Sequence, residues 1–235
     1  MSLCALAACV SPAPMHLTPA TNLSATIPTR LGAHPDAAFQ LRDDGSALCC
    51  GPVTPAASRV LRVLNASGID RLWANGRHVN WETGIADEPV GYTGPNKSTH
   101  CSCFVAAMAK RLGIYLLRPP EHSQQLLANA QFTWLHGQEA QRLGWTKVMG
   151  RENAQRMANQ GAFVIAAVQN SNPHRAGHIT IVRPEALTWT QIRTDGLVVA
   201  HSGFRNSVQV SEKTGFERHE GAWPDGISYF VHPVP

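Results

Sequence analysis

Two cysteines two positions apart, Cys101 and Cys103, and a histidine preceded by glycine, His178, are the side chains best suited to covalent chemistry. A cysteine in the first turn of a helix is a favoured nucleophile. Unpaired amide hydrogens and the positive end of the helix dipole stabilise its thiolate over the thiol. A neighbouring imidazole takes the thiol proton and later delivers it to a leaving group. The same free amides can hold a developing oxyanion. Cys101 stands at such a helix start, on an apolar face shared with Phe104, Val105, Met108 and Leu112. Cys103 leads instead to Ala106, Ala107 and Lys110, a smaller and wetter face, so Cys101 is the preferred nucleophile. Gly177 removes bulk beside His178 and lets another backbone come close. The alternative is that both thiols are inert and behave as small core hydrophobes.

These side chains need elements to position them. Residues 56–64 have helical character, closed by the Asn-Ala-Ser-Gly run at 65–68, and a loop rich in Gly, Trp and Asn follows over 73–98. The spacing predicts a helix over 101–112, ended by Gly113, with Ser98 and Thr99 where N-caps are expected. Residues 114–117 read as a short extended piece. Residues 121–149 read as partly helical with a break at Gly144-Trp145, and 153–159 as a last helix. The period then changes. Apolar runs predict strands over 162–168, 178–182, 197–201 and 227–232. Helices first and strands later imply an α+β fold, with the Cys101 helix packed on an antiparallel sheet that carries His178.

The chain has 235 residues, enough for one sizeable core, and charged residues are only 15% of it. That excludes a coiled coil, a charge-rich disordered chain and a dedicated nucleic-acid clamp. The net charge of +4 comes from scattered basic residues, with no basic run interleaved with aromatics. Nucleic acid is therefore not an expected partner, and a mild preference for anionic substrates is all the charge implies. Six cysteines do not make a disulfide scaffold at this length. Cys49 and Cys50 are adjacent and poorly placed to bridge each other, and Cys-Cys plus Cys-x-Cys does not fit a zinc site. No metal is expected. Residues 1–28 read as a leader or linker, and 29–235 as a single catalytic domain. Within the leader, Leu6-Ala-Ala-Cys9 resembles the lipobox of bacterial lipoproteins. That implies a lipid anchor at Cys9 and a place in the cell envelope or outside the cell. The other reading is a chance match in an Ala-rich stretch, with a cytoplasmic protein.

His100-Cys-Ser-Cys-Phe-Val105 resembles the D-C-S-G-F-V motif of the NlpC/P60 branch of papain-like cysteine peptidases. Gly177-His-Ile-Thr-Ile-Val182 is similar to the His-bearing strand of NlpC/P60 and CHAP domains, and Val199-Ala-His-Ser-Gly203 to a later segment that supplies a third polar residue. The resemblance covers about residues 90–210. It implies a papain-like fold with Cys101 as nucleophile, His178 as general base and His201 holding the far ring nitrogen of His178. Asn206 is the competing orienter. Tyr92 matches a tyrosine that helps bind substrate. The chain departs from the pattern at His100 and Cys103, where the family has Asp and Gly. The implied activity is hydrolysis of amide bonds, as an endopeptidase or amidase on bacterial cell-wall peptide, with no cofactor. Alternatives are a secreted deamidase or acyltransferase on the same scaffold, or a surface binding module without catalysis.

Other residues read less sharply. His100 either lowers the thiol pKa or is an exposed loop residue, the plainer reading being favoured. Asn96 could donate to an oxyanion or simply form a turn. Glu121-His122 is a polar stop that could line a cleft, and His219 and His232 read as surface or strand-edge residues. Trp73, Trp81, Trp134, Trp145 and Trp223 are expected mainly in the core, with one or two able to line a groove.

Overall fold

The computed structural model describes residues 46–235. The leader, Cys4 and the Cys9 anchor lie outside the described residues. Helices α1 (Ser58–Asn65), α2 (Cys101–Arg111), α3 (Leu127–Leu135) and α4 (Gln138–Arg142) come first. They are followed by β1 (Thr146–Val148), α5 (Arg151–Asn159), β2 (Phe163–Val168) and β3 (His178–Val182). Then come α6 (Trp189–Thr194), β4 (Val198–His201), β5 (Ser207–Ser211), α7 (Glu212–Gly215) and β6 (Ser228–His232). The strands form one antiparallel sheet of order β1-β6-β2-β3-β4-β5. The fold is α+β. The chain does not run helices first and strands last, however: β1 precedes α5, and α6 and α7 separate later strands.

Strand alternation divides the core into two layers. Phe163, Ile165, Ala167, Ile179, Ile181 and Phe230 project to the side of α1–α4 and pack with Phe104, Val105 and Met108. Val164, Ala166, Val182 and Val199 project to the other side, against Ala154 and Ala158 of α5, Ile192 of α6 and Phe216. Each layer buries a continuous apolar surface, which is the main favourable term for a sheet covered on both faces.

Helix α2 sits centrally, packing on β3. Residues 101–109 are all buried, so it has no wetter face until Lys110, and Cys103 is as enclosed as Cys101. Its N-cap position falls to His100, with no side-chain cap bond, rather than to Ser98 or Thr99. The free amides of its first turn therefore remain uncapped by a side chain. Another expectation is corrected in the layer on the other side of the sheet. Cys49 and Cys50 are joined by a disulfide between neighbouring residues, with Cys50 at φ 73° and Gly51 at φ 75° turning the chain.

Candidate active site

The first half of the site is built by α2 against β3. Cys101 begins the helix and is 3% exposed. Its sulfur is faced by the backbone N–H groups of Ile179, Ser102 and Cys101 itself. Those amides favour the thiolate, but burial outweighs them and pushes the thiol up to about 11. Cys103 is pushed up to about 12 by burial and by the nearby Cys101, and its thiol donates to Gln124 Oε1 at 3.3 Å. At rest both sulfurs are protonated.

The second half is a cluster of aromatic rings at the ends of β3 and β4. His178 Nε2 lies 3.2 Å from His201 Nδ1, leaving Nδ1 as the ring nitrogen of His178 without a partner in the chain among the described residues. His219 stacks on His178 with ring centres 4.7 Å apart and planes 9° apart, while Phe216 meets it edge-on at 5.0 Å. Burial, followed by the neighbouring His219 and His201, holds His178 well below the usual imidazole range. Burial also lowers His201, against an opposing pull from Glu217. His178 is thus a neutral imidazole near neutral pH. A Cβ at Gly203 would come within 2.9 Å of the His201 ring, so a side chain there would make that ring shift. Gly177 is required, because a Cβ there would strike the Val168 carbonyl oxygen.

The two halves meet across β3. Ile179, whose N–H faces the sulfur, packs on the α2 side, whereas His178 turns toward Phe216 and His219. No hydrogen bond joins the sulfur to the imidazole. Cys101 borders a hollow of about 280 Å³ with Asn96, Gln124 and His174, and His178 borders a cleft of about 680 Å³ with His201 and His219. Thr99 and Ala176 belong to the walls of both, so the two spaces adjoin. Cys101 and His178 thus border adjoining hollows, and His201 lies beside His178.

The remaining expected residues divide. Asn96, at φ 59°, lines the Cys101 hollow. Tyr92 lines neither space; its ring packs edge-on to His78 at 5.5 Å. Asn206 does not hold His178. Its Nδ2 donates to the carbonyls of Ile69, Leu72 and Trp73, and its Oδ1 accepts from Gly203 N, so it braces the loop after β4. His100 is buried rather than exposed, with Nε2 2.7 Å from Arg77 O. His122 lines a separate shallow hollow with Trp134. Trp73 and Trp145 are core residues. His232 sits in an interior strand, its Nε2 2.7 Å from Leu143 O.

His219 is the residue that sequence reasoning missed. It follows no strand or helical pattern, and only the turn after α7 brings it over His178; the signal available was its aromatic neighbour Phe216 three positions earlier. Although three imidazoles gather here, no group of three or more His, Cys, Asp or Glu among the described residues is arranged to hold a metal ion. No model of a known protein family matches the chain, and neither does any curated protein.

Proposed function

We propose that this protein is a cysteine hydrolase of amide bonds with a papain-like arrangement, acting on peptide and, following its motif resemblance, on bacterial cell-wall peptide. The observation that carries this reading is local. The Cys101 sulfur lies at a helix start against the N–H of Ile179, and the preceding residue is a neutral imidazole whose far nitrogen is fixed by His201.

In this reading His178 Nδ1 takes the Cys101 proton as substrate bridges the two hollows, and the sulfur adds to the amide carbonyl. The carbonyl oxygen becomes an oxyanion held by first-turn amides of α2. Collapse breaks the C–N bond, and the imidazolium gives its proton to the leaving amine. Water then attacks the thioester carbonyl and gives a proton to His178. The C–S bond breaks, and that proton returns to the sulfur as the acid leaves. His201 holds the ring orientation throughout. Catalytic hydrogen bonds are often long before substrate binds, which accommodates an unjoined resting pair. No helix among the described residues is long and apolar enough to cross a membrane. A wall substrate would place the protein in the envelope or outside the cell.

A second reading has its own support. The sulfur is nearly enclosed and its pKa is raised, as expected of a binding module that has kept the architecture without the chemistry. Incubation with isolated sacculi separates the two. Wild-type protein should release peptides or free amino groups, Cys103→Ala should retain most of that activity, and Cys101→Ala should lose it by about 10³-fold or more. Equal release by Cys101→Ala would end the hydrolase reading. Release from a soluble protein but not from sacculi would point to an effector-type deamidase or acyltransferase.

A further inference from the structure

The cleft beside His178 carries more positive charge than the proton transfer needs. Its outer wall is the loop between β4 and β5, with Phe204 54% exposed and Arg205 beside it, and the turn after α7, with Glu217 and Arg218. The guanidinium carbon of Arg218 lies 3.9 Å from the centre of the Phe204 ring. Such stacking fixes an arginine by its flat face and leaves its N–H edge free for a carboxylate. Neither Arg205 nor Arg218 makes an ion pair or side-chain hydrogen bond with the described residues. Glu217 is the one carboxylate on the wall, so the two guanidiniums outnumber it.

The wall is also firmly held. Asn206 ties the loop to three carbonyls of residues 69–73, and the Ser202 hydroxyl donates to the Trp73 carbonyl at 3.1 Å. Phe204 and Arg205 on a braced loop, with Arg218 of the turn after α7 stacked on Phe204, make a preorganised surface, which lowers the ordering cost of binding.

We infer that Phe204, Arg205 and Arg218 form a subsite for a peptide carboxylate on the leaving-amine side of the scissile bond. The side follows from the reading of His178 as the group that protonates the leaving amine, so this inference rests on the proposed function for its placement. The carboxylate itself rests on the two arginines alone. A substrate whose amine portion carries an acidic side chain or a free C-terminus fits the wall. A neutral, blocked amine portion leaves both guanidiniums without partners.

Binding to full-length Cys101→Ala protein tests this without requiring turnover. Three rhodamine-labelled peptides are compared by fluorescence anisotropy: Ala-Glu-Ala amide, Ala-Gln-Ala with a free C-terminus, and Ala-Gln-Ala amide. At least one acidic peptide should bind about ten-fold more tightly than the neutral one, and which one does so identifies side chain or terminus as the source. The Arg205→Gln, Arg218→Gln double variant should bring the acidic peptide down to the neutral level, with neutral binding unchanged. Arg193→Gln, on the exposed side of α6, should leave the preference intact. Equal binding of all three peptides, no binding of any up to about millimolar concentration, or a preference that survives the double variant would overturn the subsite. If the preference holds but wild-type protein cleaves nothing, the hydrolase reading fails while the carboxylate site stands. If sacculi are cleaved but no preference appears, the subsite alone fails.

Discussion

The surroundings of Cys101 and those of His178 are built on different principles. The sulfur is held by backbone amides, where a central helix meets a central strand beside a small hollow. The imidazole, just as buried, is held by side chains, on a cleft bordered by a loop and a turn. Backbone amides come with the fold and need no particular side chain, so the sulfur's setting is robust to sequence change. A ring stacked on one histidine and bonded to another depends on each partner separately. Specificity and pH response should therefore be adjustable on the imidazole side with little effect on the thiol side.

Substitutions can break that contrast. His178→Ala should lower amide hydrolysis by about 10³-fold, the scale of a lost general base, with little change in the reactivity of Cys101 toward a small alkylating agent. Near-normal turnover on sacculi would remove the pair. His201→Ala should cost about 10²-fold or less, since the base remains in place. Asn206→Ala should act on stability instead. Three carbonyls lose their donor, and denaturant titration should read a loss of about 1–3 kcal/mol. If Asn206→Ala harms kcat more than His201→Ala does, the orienter has been misassigned.

Two pH measurements sharpen the comparison. On the thiol side, iodoacetamide modification of Cys101 in the free protein should be slow at neutrality and rise about ten-fold per pH unit toward about 11, because the thiolate reacts and burial disfavours it. Rapid selective alkylation at pH 6 would contradict that environment. The imidazole side gives the smaller effect. His178, His201 and His219 all have folded pKa values below 6.5, so below 6.5 the unfolded chain binds more protons than the folded one. Their contribution to stability is present above 6.5 and lost as pH falls toward and through the folded values, so Tm should drop on acidification. His219→Phe keeps a stacked ring and removes one of these groups, and should flatten that drop measurably.

Much of this arrangement was legible in residue order, and each exception has a physical cause. The four strands with continuous or nearly continuous apolar runs were readable to within a residue at their starts, because burial on both faces removes polar positions. Helix α2 was readable from its apolar spacing and Gly113. Strands β1 and β5 were not. One has three residues, the other is half-exposed with Ser and Gln in alternation, and both lie at the ends of the sheet. The wetter face assigned to Cys103 failed because α2 is covered all round, which a helical wheel cannot show for a helix rich in alanine. His219 was invisible for another reason: its role arises from a stack between residues on separate elements.

The position of β5 carries a consequence for heat. The wall bearing Phe204, Arg205, Arg218 and His219 hangs from the last strand of the sheet, which is paired with β4 through an irregular register. Cys101 rests near the middle of the fold. The Asn206 and Ser202 ties to residues 69–73 stand in for a further strand, so in Asn206→Ala protein warming should loosen the wall before it disturbs the sulfur, and selectivity among ligands should fade while the rest of the molecule is still intact.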